Sequence, residues 1–213
     1  GSANDSCPGL AGLSSLEAGE LVISEIMHAP SQVANYRGEW FEIYNAAGSG
    51  VNLYGLEVSG GGGDSFTIGS YLALEAGDYA VLAVRDISSQ NGGIPAVDFR
   101  YYYDDFELTA SDSISISGGG GVLDSVEYSA AAGFPETSGE SLNLGSLSAA
   151  DNDSAAFWCE ATTAYGDGDL GTPGSANDSC PDVTAVSALS TGDLVVSEIM
   201  HAPAQVVNYR GEW

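Results

Sequence analysis

The sequence predicts an all-β protein, an immunoglobulin-like antiparallel β-sandwich of about nine or ten short strands that is tandemly repeated. Short apolar segments alternate with polar residues at period two and are separated by turns rich in Gly, Asp and Asn. No stretch of ten or more residues shows the 3.6-residue period of a helix. Residues 1–40 recur at 174–213, which indicates a repeat architecture.

Each predicted strand is a short apolar or alternating run that ends at a turn signal such as Gly60–Gly63 or Gly118–Gly121. In residues 39–45, Phe41 and Ile43 lie on one face and Glu42 on the other, the pattern of a sheet with one buried face. The predicted strands are 20–27, 39–45, 51–58, 65–68, 79–84, 99–103, 113–117, 122–128, 140–144 and a short strand near 157–159.

The internal repeat sets the predicted domain organisation. The two copies align without gaps at an offset of 173 residues, and 28 of the 40 aligned positions are identical. We expect an excerpt from a longer tandem array. The predicted parts are a linker from the preceding repeat at 1–17, the sandwich at 18–162, a disulfide-stapled linker at 163–192, and the first strands of the next repeat at 193–213.

Composition excludes several classes of partner. The formal net charge is −26, with four arginines and no lysine. Nucleic acid is excluded because its binding needs clustered Lys and Arg, and anionic membrane surfaces are disfavoured for the same reason. The longest apolar runs are too short to span a bilayer, so no membrane insertion is expected. The acidity favours either Ca²⁺ as a ligand or simple solubility outside the cell.

The internal repeat explains why the chain has an odd number of cysteines. Cys7 and Cys180 occupy equivalent positions, so each unit has two cysteines. We predict a disulfide between Cys159 and Cys180, with Cys7 paired to the Cys159 equivalent of the preceding repeat. Such bonds imply an oxidising compartment. The alternative is three free, buried thiols.

Four aspartates are the candidate metal ligands. Asp151 and Asp153, and likewise Asp167 and Asp169, place carboxylates two residues apart, as calcium loops do. The alternative is turn and cap chemistry, which uses the same residue types. No cofactor is required by the sequence, and calcium is the only candidate.

An aromatic and basic cluster is the candidate contact between neighbouring units. Exposed tyrosine and arginine are favoured at protein interfaces, and the alternation of a strand turns some neighbouring rings outward. The alternative is packing at a strand edge within the domain. The candidates are Tyr36, Arg37, Trp40, Arg100, Tyr101, Tyr102 and Tyr103.

Enzymatic chemistry is not expected. The only histidines, His28 and His201, are one repeat position seen twice, and no second histidine accompanies either for zinc. The sequence also has no Gly-x-Ser-x-Gly nucleophile motif. We therefore predict no catalytic residues.

Several segments together resemble the lamin tail domain in its bacterial secreted or surface version. The resemblance rests on residues 21–27, on Gly38-Glu39-Trp40-Phe41-Glu42-Ile43-Tyr44-Asn45, on residues 51–56, 79–82, 112–116 and 124–126, and on the ending at 158–177. It implies an immunoglobulin-like β-sandwich without catalytic residues, used as a binding or architectural module.

These observations favour a structural repeat unit of an extracellular filament, fibre or surface stalk, whose partners are copies of itself. Two alternatives stay open at this point. One is an adhesin or ligand-binding module for glycans or Ca²⁺, and the other is an accessory domain of a larger secreted enzyme.

Overall fold

The computed structural model describes residues 9–181 of the chain, and all of its elements and contacts lie within that range. Its strands are short, and many have only two residues. They are β1 Ala11–Gly12, β2 Leu21–Met27, β3 Trp40–Asn45, β4 Val51–Asn52, β5 Glu57–Gly60, β6 Ser65–Thr67, β7 Ala73–Leu74, β8 Tyr79–Ala83, β9 Phe99–Arg100, β10 Ser111–Gly118, β11 Gly121–Ser129, β12 Leu142–Leu144, β13 Trp158–Glu160, β14 Ala164–Tyr165 and β15 Asp169–Leu170.

Helical structure in the described range is limited to single turns. One α-helical turn, α1, spans Asn35–Gly38. Four 3₁₀ turns span Leu13–Ser15, Ser88–Gln90, Ala130–Ala132 and Ala155–Phe157. No helix in this range is long and apolar enough to cross a membrane. The all-β prediction is confirmed, although the described strands outnumber the nine or ten that were predicted.

The strands form two main sheets and two small ones. The six-stranded sheet has the order β13-β12-β2-β3-β8-β9, and the four-stranded sheet has the order β11-β10-β5-β6. The small sheets are β1-β4-β7 and β14-β15. Neighbouring strands are antiparallel, except that β1 runs parallel to β4 and β8 runs parallel to β9.

The core lies between the two main sheets. Alternate residues of the six-stranded sheet, such as Phe41 and Ile43, pack in one buried cluster with Val58, Ile114 and Val126 of the four-stranded sheet. Asp124 of β11 also connects the sheets, because its carboxylate accepts a hydrogen bond of 2.7 Å from the Ile23 N–H beside a register shift in β2. The result is a sandwich of the immunoglobulin-like kind.

The second face of the six-stranded sheet is buried as well. Every residue of β2 is buried, and Glu42 of β3 has no exposed surface. The prediction that only one face of β3 is covered was therefore wrong. Period-two alternation reports which side chains share a face, but it does not report whether a later segment covers the other face.

The predicted linker at residues 1–17 is also corrected, for the part of it that the structure describes. β1 pairs with β4, the Ala11 N–H donates to the Gly50 carbonyl over 2.8 Å, and Leu13 is buried in the core. At Gly119, where φ is +63°, a β-carbon would come within 2.5 Å of Ser14 Cα, so glycine permits this close approach. Residues 10–16 therefore belong to the domain.

Replacement of Leu13 by alanine should destabilise the domain. Burial of Leu13 in the core predicts a loss of about 2 kcal/mol or more in the free energy of unfolding, from lost apolar contact and the cavity left behind. Urea denaturation measures this loss. The exposed neighbour Ser14, replaced by alanine, is the control and should change stability by about 0.5 kcal/mol or less. If both substitutions changed the free energy of unfolding by the same small amount, residues 10–16 would be a linker and not part of the domain.

Candidate functional site

The outer face of the six-stranded sheet carries one row of side chains that crosses five strands. Strand register places Cys159, Asn143, Glu25, Glu42 and Val81 side by side on β13, β12, β2, β3 and β8. We call these five residues the outer row. Cross-strand neighbours on one face lie close enough to interact directly.

Residues 171–180, here called the closing segment, lie across the outer row. Thr172 donates to the Glu25 carboxylate through its N–H at 2.9 Å and through its hydroxyl at 2.7 Å. The Gly174 N–H donates to Glu42 Oε2 at 2.7 Å. Gly171 passes so near the sheet that a β-carbon there would lie 2.9 Å from the Trp40 ring and 3.0 Å from Glu25.

The second half of the closing segment is held by amide side chains. Asn143 Nδ2 donates to the Asp178 carbonyl over 2.8 Å, and the Asp178 N–H donates back to Asn143 Oδ1 over 3.0 Å. Asn177 Nδ2 donates to the Ser24 carbonyl at 2.7 Å and to the Leu144 carbonyl at 3.0 Å. Asn177 thus joins the closing segment to backbone carbonyls of both β2 and β12.

The Asp178 carboxylate fixes the preceding turn. It accepts hydrogen bonds from the N–H groups of Thr162 and Thr163, at 2.7 and 2.8 Å, and from both hydroxyls. Partial burial alone would raise the pKa of Asp178, but these hydrogen bonds outweigh it and lower the pKa below its ordinary value. Asp178 is therefore ionised at neutral pH.

The closing segment ends at a disulfide between Cys159 and Cys180, the pair that the repeat predicts. The bond joins residues 21 positions apart, with Cα atoms separated by 5.6 Å, and it ties the segment to edge strand β13. The linker predicted at 163–192 is therefore wrong for the residues described, because 163–181 pack against the domain. The predicted partner of Cys7, in a preceding repeat, and residues 182–213 lie outside the described residues.

Glu25 and Glu42 form a pair of buried acids beneath the closing segment. Burial raises the pKa of Glu25 to about 6, although hydrogen bonds from Ser141 and Thr172 partly oppose the shift. Burial, and then the nearby charge of Glu25, raises the pKa of Glu42 well above its ordinary value. Two adjacent carboxylates removed from water cannot both ionise without cost, so the folded domain favours at least one proton on the pair.

The four aspartates predicted to bind calcium do not come together. Within the described range, no group of three or more His, Cys, Asp or Glu side chains could hold a metal ion. The Asp169 carboxylate is buried, and it accepts hydrogen bonds from the Ser31 hydroxyl at 2.6 Å and from the Ser31 N–H at 3.0 Å. Asp151 accepts a hydrogen bond from the Ser146 hydroxyl at 2.6 Å. The alternative, turn chemistry, explains both.

Two of the predicted interface residues are buried and cannot contact a neighbouring unit. Trp40 lies under the chain that leads into the closing segment, and its indole N–H donates to the Tyr165 hydroxyl over 3.0 Å. Tyr101 points into the core, where its ring stacks on Phe66 at 5.0 Å between centroids. Strand alternation predicted that buried and exposed rings would alternate in residues 101–103, but it did not predict which of the rings would be buried.

The other predicted interface residues lie on one continuous surface. Tyr36 and Tyr102 are 46% and 61% exposed, with the guanidinium groups of Arg37 and Arg100 over their rings at 5.4 and 4.8 Å. Tyr36 meets the edge of Tyr103, which joins the two parts. Arg85 lines the same groove, a residue that the sequence analysis missed because no motif surrounds it. We call the six residues Tyr36, Arg37, Arg85, Arg100, Tyr102 and Tyr103 the tyrosine–arginine surface.

The charges are strongly segregated at this surface. Three of the four arginines of the chain lie on it, and the fourth, Arg210, is outside the described residues. An adjoining cleft contains five acidic residues, and it shares Tyr103 and Asp104 with the groove. The acidic residues are Asp64, Asp104, Glu107, Asp112 and Glu127. A positive patch beside a negative one can recognise the same pair on another copy.

The fold and the site define an immunoglobulin-like module of the structural or interaction kind. A family model described as Lamin Tail Domain matches residues 14–130, more than half of the chain. The chain belongs to the lamin tail domain family, a structural family of immunoglobulin-like domains and not an enzymatic one. Neither the curated proteins nor the solved structures contain a match to this chain. The family match ends before β12, the disulfide and the closing segment.

Reduction of the disulfide should destabilise the domain by about 3 kcal/mol, the value for a loop of roughly 20 residues in the chain-entropy model. Chemical denaturation of the Cys159→Ser/Cys180→Ser double variant, compared with the parent protein, measures the loss. The control is Cys7→Ser, which leaves that bond intact and should leave the midpoint unchanged. Equal midpoints for the parent and the double variant would show that the closing segment needs no covalent tie.

The buried acid pair should make the domain less stable as pH rises. Because the folded-state pKa values exceed the ordinary value, the stabilising protonated form is fully present below pH 4.5 and is lost as pH rises through about 6 and above. Glu42→Gln is neutral at every pH and keeps an oxygen for the Gly174 N–H. It should reduce the fall in unfolding free energy between pH 5 and pH 8, measured by urea denaturation at constant salt.

The matched control for that measurement is Glu127→Gln, which removes an exposed carboxylate from β11. It should keep the pH dependence of the parent protein. If the Glu42 and Glu127 variants gave the same slope against pH, the buried pair would not be the cause.

Proposed function

We propose that this chain is a structural repeat unit of an extracellular filament, fibre or surface stalk, in which its partners are copies of itself. The observation that carries the proposal is the extent of the folded domain within one repeat. Ala11 in β1 and Cys180 in the disulfide both belong to the domain, and the chain from one to the other covers 170 of the 173 residues by which the two sequence copies are offset. Since almost the whole period belongs to the domain, the repeat leaves few residues for a flexible linker.

At positions on which the first copy's fold depends, the second copy has the same or a chemically similar residue. Buried Leu13 corresponds to Val186, and Leu16, packed against the core, corresponds to Leu189. Gly19 has a φ of +88°, which glycine adopts readily and other residues rarely do, and the aligned residue in the second copy is again glycine, Gly192. The substitutions between copies thus respect the packing and the backbone of the domain, as expected of a repeat that folds in the same way.

The junction between successive units would be short. In this chain only three residues separate Cys7 from the start of β1 at Ala11, and Pro181, Asp182 and Val183 hold the same places after Cys180. Four Cα–Cα steps extend at most about 14 Å. A short tether limits the orientations of consecutive units, and a constant rotation and rise then produce a regular fibre.

In this proposal the tyrosine–arginine surface is the contact between units. Tyrosine and arginine are enriched among the residues that contribute most to interfaces, and here both stand exposed on one patch. The acidic cleft provides the complementary charge on another copy. A net charge of −26 would otherwise make copies repel one another.

The extracellular location rests on two features. The disulfide between Cys159 and Cys180 favours an oxidising compartment, because cytosolic thiols are kept reduced. High acidity without lysine keeps such a protein soluble and prevents binding to anionic surfaces.

Electron microscopy of the native material, prepared without reductant, tests the filament directly. We expect an axial repeat of about 40–60 Å, the scale of one sandwich built from strands that rise ~3.3 Å per residue. Isolated or irregular beads would contradict the proposal, and glycan-binding assays would then test the adhesin alternative.

Replacement of Tyr102 by alanine should weaken association between units. Tyr102 is exposed and lies under Arg100, so its loss removes the centre of the proposed contact, and the dissociation constant should rise about tenfold or more. Sedimentation velocity over a concentration series measures it. Tyr71→Ala is the control, since Tyr71 is 70% exposed but lies outside the surface. Equal dissociation constants for both variants would exclude the tyrosine–arginine surface as the contact.

A further inference from the structure

Glu39 is a fully buried carboxyl group next to the tyrosine–arginine surface. It follows α1, the turn that carries Tyr36 and Arg37, and none of its surface is exposed. Its Oε2 accepts a hydrogen bond of 3.0 Å from the Leu108 N–H, and its main-chain carbonyl accepts one of 3.1 Å from the Val84 N–H. Glu39 therefore ties the end of α1 to two other segments of the chain.

These two segments carry other residues of the surface. Leu108 lies five positions after Tyr103, and Val84 immediately precedes Arg85. The rings of Tyr36 and Tyr103 meet edge to face with centroids 6.4 Å apart, so α1 also touches the first of these segments at the surface. The Glu39 side chain is thus a second, buried link between the two halves of the tyrosine–arginine surface.

The second carboxyl oxygen of Glu39 has no hydrogen-bond donor. Within the described residues, Glu39 Oε1 and the hydroxyls of Tyr101 and Tyr128 are buried and have no partner. The Asn35 amide lies nearby, but it donates to the His28 carbonyl over 3.1 Å. An ionised carboxylate that is removed from water and lacks donors is costly, whereas a protonated one carries no net charge. The folded domain therefore favours the protonated form of Glu39.

The charges around Glu39 act in the same direction. Burial raises the pKa of Glu39 to about 8, and the nearby charges of Glu107 and Asp112 add to this shift, although the hydrogen bond from Leu108 opposes it. The carboxylate of Asp64 is close as well, since it accepts a hydrogen bond of 2.9 Å from the Glu107 N–H. Burial, and then neighbouring acids, also raise the pKa values of the tyrosines that face Glu39, namely Tyr101, Tyr103 and Tyr128. Ionisation would place Glu39 among other negative charges.

We propose that Glu39 positions the tyrosine–arginine surface through its protonated form, and that its ionisation separates α1 from the segment that carries Tyr102 and Tyr103. Because the ionised group needs water, its side chain must leave the core, and α1 is the adjoining element that moves with it. Tyr36 and Arg37 then no longer stand beside Tyr103, and the contact surface is lost. The inference rests on the proposed function, since it names the regulation of the same contact. Copies associate at neutral pH and separate in mildly alkaline surroundings.

The first test follows the contact between the two rings. Nuclear magnetic resonance spectra of the full chain, carbon-13 labelled at glutamate and tyrosine, are recorded from pH 6 to pH 10 at constant salt. We expect the Glu39 carboxyl carbon to titrate near pH 8, and the nuclear Overhauser effects between the rings of Tyr36 and Tyr103 to disappear over the same range. Glu39→Gln cannot ionise and keeps an oxygen for the Leu108 N–H, so it should retain these Overhauser effects throughout.

Association between copies provides the second measurement. If only the protonated form associates, its share falls from about 90% at pH 7 to about 10% at pH 9 for a pKa of about 8, so the dissociation constant should rise about tenfold. Sedimentation velocity over a concentration series at both pH values measures it. The dissociation constant of Glu39→Gln should be nearly the same at both pH values. Glu42→Gln, which removes a buried acid from the outer sheet face, is the matched control and should keep the tenfold rise.

Three results would overturn the proposal. They are a contact between the rings of Tyr36 and Tyr103 that persists while Glu39 titrates, a Glu39 that is already ionised at pH 6, and an equal rise of the dissociation constant in the parent protein and in Glu39→Gln. The ring measurement in the parent protein needs neither a variant nor association, so it decides the question even if Glu39→Gln does not fold.

The two measurements also separate this inference from the proposed function. If the ring contact is lost on ionisation but copies do not associate at pH 7, the positioning role of Glu39 stands and the proposed contact between units fails. If copies associate equally well at pH 7 and pH 9, the proposed contact stands and the role of Glu39 fails.

Discussion

The structure depends on the burial of an outer sheet face that contains two carboxyl groups. Glu25 and Glu42 lie side by side on β2 and β3, and neither is exposed. Removing such groups from water costs several kcal/mol unless donors replace the lost hydration. The closing segment supplies these donors from the backbone of Thr172 and Gly174 and from the Thr172 hydroxyl. The closing segment thus completes the two most central strands of the six-stranded sheet.

This dependence explains why the domain extends beyond the part that matches the family. The match ends at residue 130, and the sandwich core between the two main sheets is then nearly complete. The outer row still lacks Asn143 and Cys159 at that point, and no chain covers Glu42. The segment after residue 130 adds two strands at one sheet edge and then returns across five strands. A disulfide at its end keeps this return in place.

Local pattern was sufficient to predict the strands, and insufficient to predict what covers them. The alternation of Phe41, Glu42 and Ile43 fixed a strand and assigned each residue to a face. It could not show that Thr172 and Gly174, some 130 residues later, would bury Glu42. The Gly and Asp residues after 163 have the composition of a linker, yet Asp169 and Asp178 serve as hydrogen-bond acceptors within the domain. Composition indicates which residues form turns, but it does not show whether those turns pack against the domain.

The disulfide and the interface residues show the same difference between what the sequence predicts and what only the fold determines. Cys159 and Cys180 could be paired from the sequence, because the repeat made Cys7 and Cys180 equivalent and left one partner. For Tyr101 and Tyr102, alternation required that one ring be buried, but only the position of Phe66 and Phe106 decided that it is Tyr101. Arg85 lies on the same surface only because of the fold, and no sequence motif indicates it.

The tyrosine–arginine surface differs in charge from the rest of this acidic protein. The net charge is −26, and three of the four arginines lie on this one patch. In the association that we propose, this patch would attract the acidic cleft of another copy, whereas the remaining described surface carries no arginine.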